Sequence, residues 1–206
     1  MITVEEYLQD PCGTLSIPYW KCIRMELPKN VQIRHHRDIE PGEANAGERY
    51  FRLIHDLKDI SDVDDDRYEV VTATREDFET ICHVINNSYP DMTMTCSRLT
   101  ELTKTPVYDP GLWVLARERK TGNVAGCAIG DLDHNCREGI LEWIQVLPEY
   151  RRQGVGTLMV IHLLRTMAEK ADFATVSGRC DNESKPEQLY RKCGFTGEDV
   201  WHIMRK

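Results

Sequence analysis

The stretch Arg151-Arg152-Gln153-Gly154-Val155-Gly156-Thr157 is the part of the chain best suited to chemistry. It follows an apolar run that Pro148 ends, and it opens a helical pattern. The first turn of a helix has N–H groups that no helical carbonyl can accept. The helix dipole adds positive potential at the same place. Together they suit an anion such as a pyrophosphate. Gly154 and Gly156 let the backbone approach phosphate oxygens with no side chain between, and Arg151 and Arg152 add charge. An ordinary tight strand-to-helix turn has the same composition, so the glycines alone leave both readings open.

The elements that must position this turn follow from periodicity. Val155, Leu158, Met159, Leu163, Met167 and Ala171 form an apolar stripe, which predicts a helix from Gly154 to Lys170. The run 139–147 reads as the preceding strand, and 173–180 as the strand after the helix. A strand–helix–strand unit of this kind requires parallel pairing and a right-handed crossover. Upstream, strand 68–74 leads to helices at 75–88 and 97–104. A hairpin of strands 112–119 and 123–132 turns at Lys120-Thr121-Gly122. A short helix at 185–192, with Pro186 in its first turn and Gly194 after it, precedes a last strand at 200–204. The fold class is therefore α/β (α+β), a mixed sheet flanked by helices.

Residues 1–66 read differently. They hold a short helix at Val4–Gln9, strand-like runs at 31–34 and 50–54, and a loop at 41–47. The acidic run 62–66 lacks the spaced ligands and glycine of a calcium loop and reads as a boundary. The expected division is an N-terminal extension, 1–66, packing on or capping a core domain, 67–206.

Composition narrows the class. Of 206 residues, 41% are apolar and 29% charged, which fits a globular chain with a sizeable core. A net charge of −8 argues against nucleic acid or an anionic membrane as partner and is compatible with a cationic substrate. No apolar run approaches the ~20 residues needed to span a bilayer, and the start lacks a basic-then-apolar leader. The eight cysteines include no Cys-x-x-Cys pair, so free thiols in a reducing cytoplasm are expected. A zinc site from Cys12, Cys22, His35 and His36 matches no usual spacing; no metal is expected, and His35-His36 reads as an exposed pair.

Arg151-Arg152-Gln153-Gly154-Val155-Gly156 after a strand and before a helix resembles the GNAT superfamily signature, Arg/Gln-x-x-Gly-x-Gly/Ala. The lead-in Val146-Leu147-Pro148-Glu149-Tyr150 and the later Asp181-Asn182 and Leu189-Tyr190-Arg191-Lys192-Cys193-Gly194-Phe195 are similar to further elements of that family. The resemblance covers roughly residues 68–206. It implies a mostly antiparallel sheet with a splayed parallel strand pair that binds acetyl-CoA. It also implies pantetheine pairing with the backbone of Ile144, Gln145 and Val146, and pyrophosphate on the 151–157 segment. Asn182 would touch the cofactor, and Tyr190 would point its hydroxyl at the thioester sulfur. Asn182 precedes Tyr190 by eight residues where many family members have seven.

The implied function is N-acetyl transfer to a primary amine of a small molecule, amino acid or peptide. The alternative is a non-catalytic acyl-CoA-binding sensor or interaction module. A tyrosine, with an ordinary pKa of ~10, is protonated at neutral pH and can donate to a leaving thiolate. Tyr190 fits this role, or is a packing aromatic. For the base, strand alternation places Glu142 on one face with Ile144 and Val146. A carboxyl among apolar neighbours can act as base; a paired strand glutamate is the equal alternative. His134 is a weaker candidate. Trp113, Trp143 and Trp201 read as core. The extension would carry acceptor specificity or a homodimer contact.

Overall fold

Eight strands form one sheet in the computed structural model, which describes residues 2–15, 27–40, 42, 47–88 and 93–205. They are β1 (Val31–His35), β2 (Glu48–His55), β3 (Tyr68–Thr72), β4 (Tyr108–Glu118), β5 (Val124–Asp133), β6 (Glu138–Val146), β7 (Phe173–Arg179) and β8 (Thr196–Arg205). The helices are α1 (Val4–Gln9), α2 (Phe78–Ser88), α3 (Cys96–Leu102), α4 (Val155–Ala168) and α5 (Pro186–Lys192). The spatial order is β1-β8-β2-β7-β6-β5-β4-β3. Pairing is antiparallel throughout the described sheet except between β6 and β7.

One face of the sheet packs on α4. Met159, Val160, Leu163, Leu164 and Met167 are fully buried there. Strands β5 and β6 present glycines where the helix comes closest. A Cβ on Gly130 would stand 2.7 Å from Met167 Cε, and one on Gly139 would stand 2.5 Å from Met167 Sδ. The other face packs on α2, whose Phe78, Ile81, Val84 and Ile85 meet Trp113, Leu115, Cys127 and Ile129. The predicted start of this helix is a single 3-10 turn, Arg75–Asp77, capped by Thr74 and Asp77.

The N-terminal segment is woven into the sheet. β2 lies between β7 and β8, with Leu53 opposite Val176 and Phe51 opposite Val200. The division expected at residue 66 thus runs through one sheet. Helix α1 is fastened by its one buried side chain. Tyr7 Oη donates to Glu138 Oε1 at 2.8 Å, and Arg52 Nη2 donates to Tyr7 Oη at 2.8 Å. Thr175 Oγ1 donates to the same Glu138 oxygen at 2.6 Å, and Arg52 Nε donates to the Pro11 carbonyl at 3.1 Å. The acidic run crosses α4, where Asp62 pairs with Arg165 and Val63 packs on the core. Of the expected loop 41–47, only 42 and 47 fall among the described residues.

Two strands begin four residues earlier than their sequence pattern. β4 starts at Tyr108 and carries Pro110 across an irregularity before regular pairing resumes at Trp113. β8 starts at Thr196, opposite Ile54.

Candidate active site

Strands β6 and β7 pair only from Glu138–Phe173 to Leu141–Val176. Beyond that point β6 continues along β5, while β7 continues along β2. The two parallel strands therefore part, and residues 142–146 have no β7 partner. Backbone groups on that edge need partners.

A β-bulge sits at the parting. Trp143 lies opposite Ile129 and Leu141 opposite Gly130, which leaves Glu142 as the extra residue. The strict alternation expected for this strand is therefore broken. Leu141, Ile144 and Val146 pack on the α4 side, and Trp143 packs on the α2 side. Glu142 does not share the Ile144 and Val146 face through simple alternation.

Burial pushes the Glu142 carboxyl up to about 7, against the opposing charge of Arg52. Burial and the nearby Glu142 push Asp131, on β5, up to about 8. Asp131 is opposite Ile140, two residues before Glu142. Two carboxyls in reach of each other cannot both ionise freely, so they titrate as a pair. Asp131 belongs to no motif, and only the β5–β6 register brings it to the site. His134 is exposed in the turn that starts β6, at the opposite strand end from the 151–157 turn, and is removed as a base.

The glycine turn follows a 3-10 turn, Pro148–Tyr150. Gly154 caps α4 with φ 90°, and Arg152 also has positive φ, at 63°. Left-handed backbone at a non-glycine residue costs roughly 1–2 kcal/mol and often marks functional sites. The amides of Val155, Gly156 and Thr157 form the first helical turn and have no helical acceptors. The turn is locked from outside. Tyr68 Oη donates to Gln153 Oε1 at 2.8 Å, and Arg67 Nη2 donates to the Gln153 carbonyl at 2.8 Å. Gln153 Nε2 donates to the Glu149 carbonyl at 2.8 Å, so this side chain shapes the turn.

Arg151 is directed back toward the strand end. Its Nε donates to the Val146 carbonyl at 3.2 Å, and Ser88 Oγ donates to the same oxygen at 3.3 Å. Of the three backbone positions expected to pair with pantetheine, Val146 thus has its carbonyl engaged within the chain. Asn182 Oδ1 accepts from Ser184 N at 2.9 Å and from Ser184 Oγ at 2.7 Å, which closes the turn before α5. Tyr190 is 7% exposed on α5, with ring centroids of Phe51 and Phe195 at 6.1 and 5.8 Å.

Three parts meet at Gly156. A Cβ there would stand 3.1 Å from Leu189 Cδ2 on α5 and 3.8 Å from Val146 Cγ2 at the end of β6. The turn, the parted strand and the Tyr190 helix are therefore in direct contact.

Trp113 is buried, as expected of a core residue. His35 is buried too, contrary to the expected exposed pair; β1–β8 pairing places it under Trp201, centroids 4.8 Å apart. Potential ligand atoms of His35, His36 and Asp199 lie within 4.8 Å of one another. Several of these atoms have partners within the chain: Asp199 Oδ1 accepts from Arg37 at 3.0 Å and meets His35 Nε2 at 2.9 Å, and His36 Nδ1 accepts from Val200 N at 3.1 Å. Cys22 lies outside the described residues.

A parted parallel strand pair, a bulge and a glycine-capped helix define an acetyltransferase fold. A family model described as an acetyltransferase (GNAT) domain matches residues 109–197, from β4 into β8. A GCN5-related N-acetyltransferase from Sphaerobacter thermophilus superposes with a TM-score of 0.68 at 16% identity, covering 79% of this chain and 52% of that one. The ribosomal-protein-S18-alanine N-acetyltransferase of Escherichia coli gives 0.54 at 17% identity, covering 67% and 93%. Mouse cysteine-rich protein 2-binding protein is 29% identical over 123 residues, which is 57% of this chain. The match spans 15% of that relative's length. Residues 109–197 thus match a GNAT domain, and the chain shares the fold of these N-acetyltransferases. No described helix is long and apolar enough to cross a membrane.

The turn makes a first prediction. Valine at Gly154 meets φ 90°, which costs more than the roughly 1–2 kcal/mol of an unbranched residue. Gly154→Val is expected to weaken coenzyme A binding tenfold or more, read by calorimetry, while Gly122→Val in the β4–β5 turn leaves it unchanged.

Proposed function

We propose that this chain transfers the acetyl group of acetyl-CoA to a primary amine of a small molecule, amino acid or peptide, by direct attack. The convergence of the parted β6 end, the glycine turn and α5 at Gly156 carries the reading. Amides of Arg152 to Thr157 bind the pyrophosphate, and backbone groups of Ile144 and Gln145 on the parted edge bind the pantetheine arm. Val146 joins them through its amide or by sharing its carbonyl. Asn182 acts through the turn it closes.

Glu142 takes the proton from the acceptor ammonium, and the neutral amine then attacks the thioester carbonyl. The tetrahedral intermediate collapses, the carbon–sulfur bond breaks, and Tyr190 gives its proton to the departing thiolate. The attacking nitrogen loses its second proton to solvent water to leave the neutral amide, and water restores the Tyr190 proton. Tyr190→Phe is expected to lower turnover 10- to 100-fold with coenzyme A affinity nearly unchanged. Unchanged turnover would remove Tyr190 from the reaction and leave it as a packing ring between Phe51 and Phe195.

A thiol-release assay with acetyl-CoA over amino acids, polyamines, aminoglycosides and peptides tests the whole reading. Calorimetric binding of acetyl-CoA without thiol release on any of these amines would favour the acyl-CoA-binding module instead.

A further inference from the structure

Helices α2 and α3 bring two cysteines together outside the acetyl-transfer machinery. Cys82 Sγ and Cys96 Sγ are 3.8 Å apart. Cys82 is 8% exposed, on the buried face of α2. Cys96 is exposed, at the start of α3. The approach is held in register by a clamp between α2 and the segment that leads into α3. Asn86 Nδ2 donates to the Met94 carbonyl at 3.0 Å, and Met94 N donates to Asn86 Oδ1 at 2.6 Å. Met94 itself is buried, so the segment leading into Cys96 is fixed against α2.

We propose that Cys82 and Cys96 form a hydroperoxide-reactive dithiol, whose oxidation to a disulfide joins α2 to α3. A disulfide needs sulfurs about 2.05 Å apart, and rotation of the exposed Cys96 side chain supplies the closure. The two thiols have different parts. Cys96 meets solvent, and its thiolate attacks the peroxide: an S–O bond forms, the O–O bond breaks, and the departing hydroxide takes up the proton the thiol released to give water. Cys82 then attacks the Cys96 sulfur: the S–S bond forms, the S–OH bond breaks, and the hydroxide takes the Cys82 proton to give a second water. Two thiols and one hydrogen peroxide thus yield one disulfide and two waters. Burial, and then the neighbouring sulfur, push the Cys82 thiol up to about 11, which leaves the first attack to the exposed Cys96. Cys127, Cys136 and Cys193 are buried; among these and the Cys82–Cys96 pair, only Cys96 is exposed.

The test is peptide mapping of the intact chain after dilute hydrogen peroxide and alkylation. Trypsin leaves both cysteines on one peptide, because no lysine or arginine lies between Arg75 and Arg98. Further cleavage before Asp91 separates them, so a surviving link identifies the disulfide. The expected result is a Cys82–Cys96 link that dithiothreitol reverses. Cys82→Ser should stop at a Cys96 sulfenic acid that dimedone captures, and Cys96→Ser should leave Cys82 alkylatable. Both cysteines alkylated in the wild type, Cys96 carried to the sulfinic acid with Cys82 free, or either cysteine linked elsewhere would overturn the proposal.

Discussion

Glu142→Gln is expected to lower kcat/KM by about 10²- to 10⁴-fold, the range for loss of a general base. The sign of the pH dependence follows from the carboxyl's environment. The base must be ionised to accept a proton. Burial holds Glu142 up at about 7, so wild-type kcat/KM should fall as pH drops through about 7. Asp131, held up to about 8, keeps its proton over the range in which Glu142 loses its own. The limb belongs to the pair, and Asp131→Asn should change its position. In Glu142→Gln the acidic limb should vanish along with the rate. A variant that loses the rate but keeps the limb would move the base elsewhere. The comparison uses acetyl-CoA and the best amine found in the thiol-release panel.

Arg52→Met is expected to destabilise the fold by about 3–5 kcal/mol, read by urea unfolding. Removing one member of a buried charged network leaves the others desolvated without their compensation. Arg52 and Glu138 have side chains 8% and 0% exposed, with Nη2 and Oε1 at 3.6 Å. The same guanidinium holds Tyr7 Oη and the Pro11 carbonyl. Its loss therefore loosens α1 as well as the β2–β7–β6 junction. Adding Glu138→Gln to Arg52→Met should recover part of the loss, because the second change removes the stranded charge. A single variant within 1 kcal/mol of wild type would contradict this account. Arg52 also opposes the upward push on Glu142, so a folded Arg52→Met protein should show its acidic limb at higher pH. Through Arg52 the N-terminal segment thus reaches the Glu142 carboxyl.

Much of the site is legible in the sequence because its signal is local. The glycine turn, the stripe behind it and the strand before it lie within about thirty residues. The hydrogen-bonding needs of a helix start and the left-handed backbone at Gly154 are properties of those residues themselves. The helix at Val4–Gln9 is legible for the same reason: Thr3 and Glu6 form a capping box three residues apart.

What lies beyond the sequence is set by pairing between distant segments. Nothing near Arg52 announces that β2 inserts between β7 and β8, since its neighbours in the sheet are Ser177 and Asp199. Tyr7 and Glu138 meet across 131 residues, and buried His35 lies against Trp201 of β8. Glu142 shows the division within one residue. Its type and its place on an apolar strand mark it as a candidate base from sequence alone. Its facing does not follow in the same way, because alternation holds only while the register holds. The bulge against β5 falls between Ile129, which packs in the α2 cluster, and Gly130, which faces Met167. The sequence by itself determined which residue types are candidates for a cofactor turn and a base. Only the tertiary structure decided how β1 and β2 complete the sheet and what environment Glu142 occupies, because register and burial depend on strands far apart in the chain.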